Sequence, residues 1–186
     1  MKQLVRKLMV YVISLSLVRC LIKIFLFCFQ SVEAFISLCS ISLKFPSNTT
    51  VRSHYSTIIT YSDRISLGKH VWIGRNCILG GIGGIKIGDF VRISPGVVIQ
   101  TRGLEIHQSN EIPYPSKAKP ICIGNGVWIA SRAVILGGVT VGDYAVIGAG
   151  AIITKDVESH SIVVGSPTRC IGKVKRKTLQ YELYDI

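Results

Sequence analysis

Charged residues are scarce in this chain. Asp, Glu, Lys and Arg make up 17% of its 186 residues, against 48% hydrophobic ones, a balance that excludes a disordered polymer and suffices for one domain with a real core. Acids are the scarcer sign, with 10 Asp and Glu against 22 Lys and Arg and a formal charge of +12. That surplus suits nucleic acid, anionic lipid or a phosphorylated ligand. Aromatic residues do not interleave with the basic ones, and no zinc-finger or RNA-binding motif is present, so no nucleic-acid partner is expected. The basic residues gather at the ends, with Lys2, Arg6, Lys7, Arg19 and Lys23 at one and Arg169, Lys173, Lys175, Arg176 and Lys177 at the other. CxxC pairs are missing. The cysteines at 20, 28, 39, 77, 122 and 170 follow no scaffold spacing, which reads as reduced thiols in a cytosolic compartment.

Composition changes near Lys44–Asn48. The preceding segment, residues 1–45, is apolar and basic, with oily runs at Leu8–Val18 and Ile24–Leu43. Arg19, Lys23, Gln30 and Glu33 recur at helical spacing, which predicts a narrow polar stripe on an otherwise apolar helix or helix pair. A cleaved signal peptide does not fit, because Arg19 and Lys23 stand where small cleavage-site residues belong. A span over residues 24–43 is long enough, but Glu33 near its middle costs about 2.5 to 3.5 kcal/mol on insertion scales. An interfacial helix with basic residues at lipid head groups avoids that cost. A helical cap packed on a neighbouring subunit avoids it equally. Pro46, Ser47 and Asn48 predict a turn into the next region.

From about residue 60 apolar residues return every six positions, a period that suits neither an α-helix nor an alternating strand. Ile123, Ile129, Ile135, Val141, Ile147 and Ile153 form one column, and Val127, Ala133, Val139, Ala145, Ala151 and Val157 another four places on. All twelve are aliphatic. Gly124, Ala130, Gly142 and Gly148 follow column heads, as tight corners that exclude a Cβ require. Leu67, Ile73 and Leu79 carry the same beat upstream, and Ile87, Ile93 and Ile99 resume it after a two-residue slip in GGIGGI. Short strands that turn every six residues bury their apolar faces only by stacking as a parallel β-helix, three strands to a coil.

The segment Ile123 to Val174, with IGAGAIITKD at Ile147–Asp156 and a GxPxR element at Gly165–Arg169, resembles the hexapeptide-repeat acyltransferases. The likeness runs from about residue 60 to 172 and is strongest to the galactoside and maltose O-acetyltransferase branch and its relatives that modify surface polysaccharides. It implies a left-handed parallel β-helix, mainly β, whose coil handedness departs from the usual right-handed crossover. It also implies acetyl-CoA as donor without a metal, a sugar hydroxyl as acceptor, and a homotrimer with sites between subunits. The expected organisation is the helical segment 1–45, the β-helix 46–174 with an extruded loop at about 103–120, and a basic tail 175–186.

Acyl transfer from a thioester to an alcohol needs a base for the hydroxyl proton, a donor for the oxyanion and a slot for the pantetheine arm. His54 precedes the legible repeat, while His70 and His160 sit inside or beside hexads, where an outward imidazole is ordinary surface. His107 lies in the 24-residue interval between Ile99 and Ile123 that also holds Pro113, Pro115 and Pro120. A loop extruded from a rigid prism is where a functional side chain is placed, and the family resemblance puts the catalytic histidine on such a loop. Cys122 has no visible base beside it and is not expected to be a nucleophile. The resemblance further assigns donor contacts to Ser131, Ala149, Thr154, Lys155 and Arg169, with Lys173 near the nucleotide phosphates where relatives carry an arginine at the position of Gly172.

The acceptor side is less legible. Arg75–Gly88, RNCILGGIGGIKIG, holds no carboxylate where the galactoside branch has an aspartate, and its glycines precede no GK[ST] that would make a phosphate loop; a bulged corner is expected. The basic, oily N-terminus suits a surface-polysaccharide unit or lipid-linked precursor handled in the cytoplasm, at the inner face of the membrane. Two other classes are open to the sequence. A noncatalytic membrane-associated trimeric scaffold predicts no thioester turnover, and a zinc hydratase of the same fold requires three converging histidines.

Overall fold

A computed structural model describes residues 2–45, 50–105 and 113–174. One uninterrupted helix, α1 (Lys2–Lys44, 43 residues), precedes a three-sided stack of short parallel strands and is about 65 Å long at 1.5 Å per residue. The first side of the prism carries Arg52–Ser53, Trp72–Ile73, Arg92–Ile93, Trp128–Ile129, Val146–Ile147 and Ser161–Val164. The second carries Ile58–Thr60, Ile78–Gly80, Val98–Gln100, Val134–Leu136 and Ile152–Ile153, and the third Ile65–Leu67, Ile85–Ile87, Ile121–Ile123 and Thr140–Val141. The coil below Ile123 has the expected 18 residues, since Ile123 pairs with Val141, Ile129 with Ile147 and Ile135 with Ile153. All twelve column residues are buried, none more than 6% exposed. Leu67 is only partly buried, at the edge of the core.

The stack starts one coil earlier than the aliphatic beat shows. Val51 is buried and Arg52–Ser53 pairs with Trp72–Ile73. That coil hides from a hydropathy reading because a buried threonine stands in an inward position. Thr57 is satisfied there by donating its hydroxyl to the Gly74 carbonyl at 2.9 Å. At the other end the stack closes with an antiparallel partner, Arg169–Lys173 against Ser161–Val164.

Small residues after column heads are required by close approach. A Cβ on Gly124 would lie 2.4 Å from Asp143 Oδ1 and 2.8 Å from its backbone nitrogen, and one on Gly142 would lie 2.4 Å from the Ser159 nitrogen. Other corners place side-chain-bearing residues in the left-handed region, among them His70 (φ 56°) and His160 (φ 62°). Their rings pack on the next coil, His70 on Phe90 at 4.9 Å and Tyr144 on His160 at 5.2 Å between centroids. These two imidazoles therefore belong to corner packing.

The coils above Ile99 are two residues longer, with Ile73 paired to Ile93 and Leu79 to Ile99. The extra residues fall at the corner between second and third sides: the 3-10 turn Ser62–Arg64 in one coil, and the turn closed by Gly84 N–H to Gly81 O at 2.8 Å in the next. GGIGGI is thus the bulged corner expected from its glycines, with Gly84 at φ 91°.

Helix α1 meets the prism along one four-residue stripe. Ile41 and Phe45 enter the core, Ser37 Oγ accepts from the Tyr55 N–H at 3.0 Å, and the Tyr55 hydroxyl donates to Glu33 Oε1 at 3.1 Å. The Glu33 carboxylate pushes the Tyr55 phenol above its ordinary range, through this hydrogen bond first and its charge second. The acid inside the apolar segment is thus used to dock the helix on its own prism. Its last turns pack on the chain's own first coil rather than on a neighbouring subunit. The turn expected at Pro46–Asn48 lies outside the described residues.

Candidate active site

Every consecutive coil follows the ladder except one. Ile87 pairs with Ile123, 36 positions on, and the described residues 102–105 and 113–118 stand off the prism at the corner that already holds the longer turns. Thr101 pins the root of this excursion. It is buried, donates to the Gly80 carbonyl at 2.6 Å and accepts the Gly83 N–H at 2.9 Å. Gly83 has to be glycine here, since a Cβ would meet the Lys119 carbonyl oxygen at 2.9 Å. Beyond the root Arg102–Leu104 pairs antiparallel with Ser116–Ala118, and Lys117 forms an ion pair with Glu105. The segment joining the two strands contains His107, which lies outside the described residues. The stem walls a cavity of about 260 Å³ with Lys117, Lys119 and Leu136.

The residues assigned to the donor fall in two groups, at the two corners that flank the second side of the prism. Ser131 and Ala149 occupy the same corner on successive coils, where the Gly150 N–H donates to the Ser131 carbonyl at 2.9 Å. Thr154 and Lys155 line a terminal cavity of about 390 Å³ with Pro167 and Thr168. The GxPxR segment joins the groups. The Ile152 N–H donates to the Gly165 carbonyl at 3.2 Å and the Thr168 hydroxyl to the Ile152 carbonyl at 2.6 Å, and Arg169, next in the chain, opens the closing antiparallel strand opposite Val164. Lys173 is placed otherwise, its ammonium 3.7 Å from Glu158 in an exposed pair. Residues 175–186, the basic tail, lie outside the described residues.

Cys122 points outward from the third side, between rungs held by Lys86 and Thr140. Cys77 is the buried thiol, and burial pushes it up from the ordinary thiol range. Among the described residues no group of three or more His, Cys, Asp or Glu stands together.

Sequence reading passed over His54. The extra coil carries it to the junction of α1 and the first side, where it lines a cavity of about 520 Å³ with Arg52, Trp72, Arg75, Arg92 and Ser94. The signal for it was the outward alternation of Arg and Trp along the first side, which becomes visible only once the strands are in register.

Among the described residues, a short-coil prism interrupted by one paired stem is a parallel β-helix of the hexapeptide-repeat kind. Family models agree, with "Bacterial transferase hexapeptide (six repeats)" matching residues 123–155 and "Hexapeptide repeat of succinyl-transferase" residues 64–101. The galactoside O-acetyltransferase of Escherichia coli is 35% identical over 126 residues, 68% of this chain and 62% of that protein. A galactoside acetyltransferase solved in complex with coenzyme A superposes with a TM-score of 0.65 at 32% identity, covering 78% of this chain and 76% of that one. A maltose O-acetyltransferase from Clostridium difficile gives a TM-score of 0.65 at 31% identity, with 69% of each chain covered. The chain belongs to the hexapeptide-repeat acetyltransferase family. It spans somewhat under two thirds of the length of the E. coli relative.

Proposed function

We propose that the protein moves an acetyl group from acetyl-CoA to a hydroxyl of a sugar, a unit or precursor of a surface polysaccharide. What supports this reading is the paired stem of Arg102–Leu104 and Ser116–Ala118, which stands off the ladder at one corner and whose connecting sequence holds His107. His107 takes the proton from the acceptor hydroxyl as that oxygen attacks the thioester carbonyl. The new C–O bond forms, the C–S bond breaks, and the imidazolium returns its proton to the departing CoA sulfur. The corner of Ser131 and Ala149 offers a small-residue track for pantetheine, and Arg169 a cation for the nucleotide phosphates. The relatives named above, one of them holding coenzyme A, support this assignment. Two measurements test it together. CoA is expected to raise the melting temperature, and thiol release from acetyl-CoA is expected to depend on one member of a sugar panel. Neither a shift nor sugar-dependent release would leave the noncatalytic scaffold as the better reading.

A homotrimer fits the surface chemistry. One outward row of the second side is aliphatic from end to end, Ile58, Ile78, Val98, Val134 and Ile152 in register. The third side shows Ser66, Lys86, Cys122 and Thr140 instead. A flat aliphatic strip of this kind is what a subunit interface covers.

Membrane contact at the cytoplasmic face is the third part of the reading. Ahead of Glu33, Ile24, Phe25, Leu26 and Phe27 are all exposed, and four consecutive helical residues cover every side of a helix. The most apolar 18 residues within Lys23–Lys44 have a mean hydropathy of 1.9. No single protein face covers a helix on all sides, whereas a bilayer does, and Lys7 and Lys23 favour anionic head groups. The full chain is expected to sediment with anionic vesicles, less so as salt rises. A variant with Phe25, Leu26, Phe27 and Phe29 changed to Gln keeps the Glu33–Phe45 dock and is expected to stay in solution. Equal sedimentation of the two would defeat the membrane assignment.

A further inference from the structure

The cavity at the junction of α1 and the first side has a chemistry that the donor track and His107 leave unused. Its walls include Arg52, Arg75 and Arg92, and no acid lines it. Among the described residues none of the three arginines forms an ion pair. Arg52, Trp72 and Arg92 hold successive outward rungs, about 4.8 Å apart. The Arg92 guanidinium stacks over Trp72, with Cζ 4.9 Å from the ring centre, an arrangement that holds the cation in place before any ligand arrives.

His54 adds a donor. Its Nδ1 lies 3.2 Å from the backbone N–H of Ser56, a group that only donates, and 2.7 Å from Ser56 Oγ. Nδ1 therefore accepts, and the proton of the neutral ring sits on Nε2. That nitrogen is buried and, among the described residues, has no hydrogen-bond partner. A buried N–H without an acceptor is costly, and an anionic oxygen relieves it with a charge-assisted bond.

The cavity also adjoins the donor track. The Ser94 N–H donates to the Ile129 carbonyl at 2.8 Å, and the Arg132 N–H to the Pro95 carbonyl at 3.1 Å. Its rim at Ser94 and Pro95 is one coil from Ser131, on the same corner.

We infer that this cavity binds a sugar that carries a phosphate or diphosphate, the three arginines and His54 Nε2–H taking the phosphate oxygens and Trp72 giving the sugar ring an apolar surface. Identifying that ligand as the acceptor rests on the acetyl-transfer reading; the binding itself does not. A phosphorylated sugar arrives either on a soluble nucleotide or on a membrane polyprenol, and the phosphate chemistry is common to both.

The test uses the full chain in zwitterionic micelles, titrated with glucose, glucose 1-phosphate, a nucleoside diphosphate glucose and a polyprenyl diphosphate glucose. Phosphorylated probes are expected to bind at least about tenfold more tightly than glucose, the value of a single good charged contact, and the tighter diphosphate probe identifies the carrier. Arg52→Gln with Arg75→Gln is expected to remove that preference while leaving CoA affinity unchanged. His54→Phe, which removes the unpaired donor, is expected to weaken phosphate-sugar binding while leaving CoA affinity unchanged. Equal binding of glucose and glucose 1-phosphate, or a phosphate preference that survives the arginine changes, overturns the inference. Thiol release measured on the same samples separates the two readings. Arginine-dependent binding without turnover sinks acetyl transfer and keeps the site, whereas turnover on neutral sugars untouched by the variants does the reverse.

Discussion

His107→Ala is expected to lower acetyl transfer by about 10² to 10⁴, the usual worth of a positioned general base, with CoA affinity and thermal stability near those of the parent chain. The expectation rests on the architecture around the residue. Only one insertion of this length interrupts the described ladder, its root is pinned by the buried Thr101 and its stem by strand pairing, and His107 is the histidine it carries. His70 and His160 are committed to corner stacks. His54 has its Nδ1 engaged by Ser56 and its Nε2 buried. On the proposed direct transfer, without an acyl-enzyme, Cys122→Ser is expected to keep most activity. Steady-state thiol release on the true acceptor decides the matter. Near-normal turnover in His107→Ala would place the base elsewhere and break the assignment of the hairpin.

The second large effect concerns the prism. Ile135 is fully buried, one rung from Ile99 and one from Ile153, and the stacked layers leave no room for neighbours to collapse inward. Ile135→Ala is expected to cost about 2 to 5 kcal/mol through lost burial and the cavity left behind, measured as a fall in denaturation midpoint. Ile135→Asp puts an unpaired carboxylate in the same layer and is expected to abolish soluble assembly. A soluble, stable Asp variant would mean that the side chain faces out and the whole register is shifted.

Much of this was legible before any coordinates. Inward positions from Ile123 to Val157 are aliphatic without exception, so the period, the coil length and the burial of each column residue follow from the sequence. The excursion holding His107 was equally visible, as a gap in the beat rich in proline. Less visible was the first coil, where Thr57 satisfies its hydroxyl inside the core in place of an aliphatic side chain. The role of Glu33 was also hidden. In sequence it is an acid that interrupts an apolar run; in space it accepts from Tyr55, 22 positions away.

The sequence by itself determined the repeat, and through it the fold, because hydrophobic burial at a six-residue period has one geometric solution and every residue in a column answers to the same requirement. Tertiary structure alone decided which outward side chains meet. Outward residues on neighbouring rungs are 16, 18, 20 or 36 positions apart in the chain, according to how many residues each coil places at one corner. Only the hydrogen-bonded register brings Arg52, Trp72 and Arg92 into one row beside His54, under a helix that docks through four residues of its last turns.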